Sequence, residues 1–137
     1  VSTSPLLLLN DGAEMPQLGL GVYKTTDEEA ANAVSFALRH GCRLIDTASM
    51  YHNERGVGEG VRASGIDRSE VFVTTKVWFT DNGYDETLRA FDDSMRMLGL
   101  DHLDLYLIHW PAPLRDRYVE AWRALIALRD SGRVRSI

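Results

Sequence analysis

The stretch Gly41-Cys42-Arg43-Leu44-Ile45-Asp46-Thr47-Ala48-Ser49-Met50-Tyr51-His52-Asn53-Glu54-Arg55-Gly56-Val57-Gly58 decides how this chain folds. An apolar run, Cys42 to Ile45, is broken only by Arg43 and stops at Asp46; small residues follow, then Tyr51, then a helical segment opening near Asn53. That pattern is a buried strand delivering a carboxylate and a phenol to its carboxyl end. Two later stretches have the same form: Val71 to Thr75 runs into Lys76, and Leu103 to Ile108 runs into His109. Three apolar strands thus each end in an ionisable residue, on the edge where α/β folds bind ligands.

Outward from this stretch the chain keeps one rhythm. Leu6 to Leu9, Asn10-Asp11-Gly12 and Ala13 to Pro16 predict a short hairpin, because Asp-Gly supplies the positive φ of a tight reversal. Leu18 to Val22 is the first core strand, with Gly19 and Gly21 open to close approach by a backbone or a ligand. Lys24 at the sixth position rules out a Gly-x-Gly-x-x-Gly fingerprint. Thr26 and Glu29 form a capping-box pattern for a helix from Asp27 to His40, stopped by Gly41. A second helix, capped by Asn53 or its neighbour, reaches Ser64 with Val57 and Val61 inward. The third spans Asp85 to Leu98 with Leu88, Phe91, Met95 and Leu98 as its stripe, and the fourth Asp116 to Asp130 with Val119, Trp122, Leu125 and Ile126 inward. Val134 to Ile137 begins a fifth strand.

Repeated βα units fit a doubly wound open sheet or a (β/α)8 barrel of TIM-barrel type. In an open sheet ordered 3-2-1-4-5-6, the strands ending in Lys76 and His109 would lie three steps apart, about 14 Å, too far to share a substrate. In a barrel these strands are neighbours and their ends fall within roughly 10 Å. One shared site favours the barrel. A complete barrel needs roughly 250 residues, so residues 1–137 are expected to be the amino-terminal half of a single barrel domain, ending within strand five. Such a half exposes sheet edges and is expected to associate.

The formal net charge is -5, from 15 basic and 20 acidic residues, with no basic block to track nucleic acid or an anionic membrane. Cys42 is the sole cysteine, inside a predicted strand, which points to a buried inert thiol and a reducing, cytoplasmic setting. Neither a signal peptide nor a membrane span is read from the sequence. His40, His52, His102 and His109 have no metal-ligand spacing.

A phenol with a pKa near 10 is a poor acid at neutrality until its surroundings shift it. Asp46 orienting Lys76, Lys76 tuning Tyr51, and His109 holding a carbonyl oxygen would suit protonation of an alkoxide as a hydride arrives. Lys76 as a Schiff-base lysine in an aldolase-like barrel, or a chain that only binds a partner, are the competing readings.

The residues Gly41 to Ala48, Tyr51, Asn53-Glu54 and Val57-Gly58 resemble the first signature of the aldo-keto reductases. Leu18 to Lys24, Thr75-Lys76-Val77-Trp78 and Leu103 to Pro111 agree with it, so the resemblance covers essentially the whole chain, most closely the bacterial 2,5-diketo-gluconate reductase type. The resemblance implies a (β/α)8 barrel that reduces aldehydes and ketones with NADPH, less often NADH, and a whole protein that is a monomer. It implies Tyr51 as proton donor, Lys76 and Asp46 lowering its pKa, and His109 orienting a small-molecule carbonyl. Gly21, Val22, Tyr23 and Asp46 match cofactor positions, while Tyr23, Trp78, His109 and Trp110 match the substrate pocket. Cys42 stands where an aromatic is usual, and Met50 and His52 flank Tyr51 where smaller residues are common. The family's remaining cofactor contacts, to the carboxamide, the ring face and the 2′-phosphate, have no counterpart before Ile137.

Overall fold

In the computed structural model, which describes residues 4–137, Thr26 and Glu29 close the capping box that starts the first helix. The Glu29 amide donates to Thr26 Oγ1 at 3.2 Å and the Thr26 amide to Glu29 Oε2 at 2.8 Å, satisfying two otherwise orphaned donors. The helix, α1 (Asp27–Arg39), ends with Gly41 at φ +97°, a conformation glycine adopts without strain. Ahead of it stand a hairpin, β1 (Leu6–Leu8) and β2 (Glu14–Pro16), and a two-residue strand, β3 (Leu20–Gly21). After it come β4 (Leu44–Asp46), α2 (Glu54–Ser64), β5 (Phe72–Val77), α3 (Tyr84–Leu98), β6 (Leu103–Ile108), α4 (Tyr118–Asp130) and β7 (Val134–Ser136).

Strands β3 to β7 form one parallel sheet in sequence order, so β4, β5 and β6 are direct neighbours, as barrel connectivity requires. Register puts Ile45 beside Val73 and Thr75 beside Tyr106, and these residues with Val77 are fully covered by the helical layer. Asp46 pairs with Gly21 and Thr74, and Thr74 with Leu105; by strand alternation these belong to the opposite face. Lys76 is in register with Leu107 on that same face. The core joins Val34, Leu38, Val57, Val61, Phe91, Leu98, Tyr106, Leu125 and Leu128, with Phe91 and Tyr106 edge-to-face at 5.1 Å.

The first core strand, expected from Leu18 to Val22, shrinks to Leu20–Gly21 with Leu18 exposed, and three more local expectations change. The strand expected from Cys42 starts at Leu44, because the Cys42 amide is still bound to the Ala37 carbonyl at the end of α1 at 3.0 Å, and the Arg43 side chain turns back to the Leu38 and Cys42 carbonyls at 2.9 and 2.8 Å. In α4 the buried stripe is Ala121, Ala124, Leu125 and Leu128, while Val119 and Trp122 are 48% and 45% exposed. Both sets have helical spacing, and the sheet accepts the one whose alanines let the backbone approach. Asn53 makes no side-chain cap on α2; its amide is used elsewhere. Asp104, in the middle of an apolar run, is 2% exposed and satisfied by Arg68 at 2.8 Å and the Val73 amide at 2.9 Å.

Candidate active site

Asp46 ends β4 and Lys76 lies one residue before the end of β5, so neighbouring strands bring carboxylate and ammonium together. Lys76 Nζ donates to Asp46 Oδ1 at 2.7 Å, to Oδ2 at 2.8 Å and to the Thr47 carbonyl at 2.9 Å. That is the full donor complement of an ammonium. Tyr51 closes a single 3₁₀ turn, Ser49–Tyr51, which Ser49 fastens by donating its hydroxyl to the Lys76 carbonyl at 3.0 Å. Lys76 Nζ stands 5.4 Å from the Tyr51 ring centroid. From the end of β6, His109 meets Tyr51 edge-on at 5.5 Å, its backbone held by a 3.0 Å bond to the Val77 carbonyl.

An aromatic wall continues from this group. Tyr23 lies 4.9 Å from Tyr51, Trp78 lies 5.1 Å from His109, and Trp110 lies 4.9 Å from Trp78. Tyr23 and Trp110 are each 57% exposed, so the wall opens to solvent. Phe79, which the sequence reading passed over, packs on Trp78 at 4.6 Å. Gly21 sits beside Asp46 in register with no unusual φ, and a side chain there would meet open space; a flat group can approach Asp46 there. Gly19 is different, since a Cβ there would overlap Leu44.

The electrostatics differ from expectation at Tyr51. Burial first, then the Asp46 charge, then Tyr23, push its phenol above its ordinary value, where Lys76 and Asp46 were expected to lower it. The reason is geometric. The Lys76 charge is clasped by both Asp46 oxygens and no Lys76 donor reaches the phenol oxygen, so burial and the Asp46 charge set the direction of the shift. Burial, reinforced by Lys76 and opposed by Asp46, holds the His109 imidazole below its usual range. His109 Nδ1 is buried with no hydrogen-bond partner. Among the described residues no cluster of three or more His, Cys, Asp or Glu is placed to hold a metal, and no helix is long and apolar enough to cross a membrane.

Residues 15–137 match the Aldo/keto reductase family. The chain is 52% identical over 134 residues to morphine 6-dehydrogenase of Pseudomonas putida, which covers 98% of this chain and 45% of that protein. It superposes on an aldo/keto reductase from Brucella melitensis with a TM-score of 0.95 and 52% identity, covering 98% of this chain and 52% of that one. A mutant of Gox0644, crystallised in complex with NADPH, superposes with a TM-score of 0.91 and 47% identity, covering 98% of this chain and 48% of that one. The chain therefore spans about half the length of the relatives it matches, which are (β/α)8 barrels.

Proposed function

We propose, from the premise that this chain belongs to the aldo/keto reductase family, that it carries the acid–base group of a carbonyl reductase. The observation that carries the reading is the convergence of Tyr51, the Lys76–Asp46 pair and His109 at the ends of three adjacent strands. NADPH, in preference to NADH, supplies the hydride when bound. Gly21, Val22, Tyr23 and Asp46 would form the near side of its site, where the open space at Gly21 fits a planar ring. The NADPH-bound relative supports this choice of cofactor.

The side chains of this chain do the rest. His109, held neutral, donates one ring N–H to the carbonyl oxygen of the substrate and directs it toward Tyr51. As the carbonyl carbon gains hydride, its oxygen becomes an alkoxide and takes the Tyr51 proton, giving the alcohol and a phenolate. Lys76, 5.4 Å from the phenol ring, stabilises that phenolate once formed, and Asp46 keeps the ammonium in place. Tyr23, Trp78 and Trp110 offer an apolar wall to the rest of a small-molecule substrate. In a full-length protein carrying this chain, Tyr51→Phe should lower aldehyde-dependent NADPH oxidation by about 10²- to 10⁴-fold; an unchanged rate removes Tyr51 from this role.

The span of about half its relatives favours a second reading, in which the 137-residue chain by itself binds no cofactor. Trp78 and Trp110 stand at the rim, so titration with NADPH while following tryptophan fluorescence separates the two: saturable quenching supports a cofactor site within this chain, and its absence supports the non-catalytic reading.

A further inference from the structure

Asn53 is completely buried and stands immediately before α2, where an asparagine ordinarily caps the helix. Its amide instead faces the strand ends. Asn53 Nδ2 donates to the Val22 carbonyl at 2.8 Å and to the Thr25 carbonyl and hydroxyl at 3.2 and 3.1 Å; its Oδ1 accepts the Thr47 hydroxyl at 2.8 Å. Two carbonyls can only accept, so the amide orientation is settled by its partners. This one side chain links the loop carrying Tyr23, the end of β4 beside Asp46, and the segment carrying Tyr51. Its neighbour Glu54 accepts the Thr75 hydroxyl at 2.6 Å, adding the strand of Lys76.

The link between Tyr51 and Asn53 is His52, whose φ of +56° is left-handed and disfavoured for a residue with a Cβ. Such a conformation persists only where its surroundings over-determine it. The His52 amide closes the preceding turn on the Ser49 carbonyl at 3.2 Å, but its exposed side chain makes no hydrogen bond, and on its far side Asn53 is held on three sides. We propose that Asn53 is a positioning residue: its amide locks the left-handed step at His52 and so sets the Tyr51 phenol over the Lys76–Asp46 pair and beside His109. The inference rests on the reading of Tyr51 as proton donor. The groups facing Tyr51 are Asp46 from β4, Lys76 from β5, His109 after β6 and Tyr23 after β3.

The test follows the Tyr51 phenol by ¹³C NMR of its Cζ atom across a pH titration of the full chain, with Tyr51→Phe assigning the signal. Asn53→Ala releases the turn, and the Tyr51 midpoint should fall from its raised position toward about 10 as the ring gains solvent. Thr47→Val, which keeps the shape and removes one of the hydrogen bonds, should shift it the same way by less; Thr47→Ser should restore it. Far-ultraviolet circular dichroism establishes that each variant is folded. A wild-type midpoint in both folded variants overturns the proposal, and if Asn53→Ala does not fold, the contrast between Thr47→Val and Thr47→Ser decides it. The readout uses neither cofactor nor turnover, so it is independent of whether Tyr51→Phe abolishes reduction.

Discussion

Lys76 commits every donor it has to Asp46 and Thr47, and that single fact shapes the chemistry around it. An amine attacking a carbonyl needs a free lone pair, which this lysine does not present, so the geometry disfavours the Schiff-base reading. Lys76→Met should lower the reduction rate by about 10²-fold or more while leaving circular dichroism unchanged, because Asp46, with a side chain 38% exposed, is solvated in its absence. The two perturbed groups predict a pH profile. With Tyr51 as the proposed acid and its pKa raised, the rate of reduction should hold through neutrality and fall only as pH rises above about 10. In the proposed role His109 acts as the neutral imidazole, and its pKa is lowered, so the acid limb should lie below about 6.5. An acid limb above that value in the pH dependence of kcat/KM would remove His109 from its role.

Helix α2 shows how glycine spacing governs packing. A Cβ at Gly56 would overlap the Asp27 backbone of α1, and one at Gly58 would overlap the Leu98 carbonyl of α3. Neither position needs glycine for its own conformation; the neighbouring backbones need the room. Gly58→Ala should therefore destabilise by about 3 kcal/mol, read as a lowered thermal midpoint. Glu54, on the same helix, has its carboxyl pushed upward by burial, with the Thr75 hydrogen bond opposing. Its native form binds its proton more tightly than the unfolded chain does, so stability falls as pH rises through the interval above about 4.3. Glu54→Gln keeps an acceptor for Thr75 without the charge. It should melt with wild type near pH 4 and a few degrees above it at neutrality; a wild-type midpoint at both pH values would show that the buried carboxyl is not strained. The start and stop of α1 at Thr26 and Gly41 were legible because caps obey local rules. The phase of α4 was not, since two apolar stripes satisfied the same spacing and only contact with the sheet distinguished them.

The five parallel strands leave β3 and β7 each with one unpaired side among the described residues, and Leu105 and Leu107 are only partly covered on the face opposite the helices. Exposed backbone edges and apolar sheet recruit other chains. The 137-residue chain is thus expected to sediment as dimers or larger species; a monodisperse monomer with a cooperative melt would contradict this. Asp104 and Arg68 lie at the opposite ends of the strands from the site. Removing that buried carboxylate with Asp104→Ala should cost about 1–3 kcal/mol by leaving the buried Val73 amide without its acceptor, while Arg68 keeps the Val71 and His102 carbonyls, with no requirement that the acid–base group move.

The sequence alone determined the alternation of strands and helices and put Asp46, Lys76 and His109 at strand ends with Tyr51 just beyond the first, because hydrophobic period and strand-end position are local properties; the strand order itself is seen only in the sheet. Only the tertiary structure decided that Lys76 is saturated, that burial and Asp46 push the Tyr51 phenol upward, and that Asn53 ties three loops together. Those depend on distances and burial among segments remote in the chain: which partner a donor reaches, and how much water is left around a phenol, exist only once the strands are side by side.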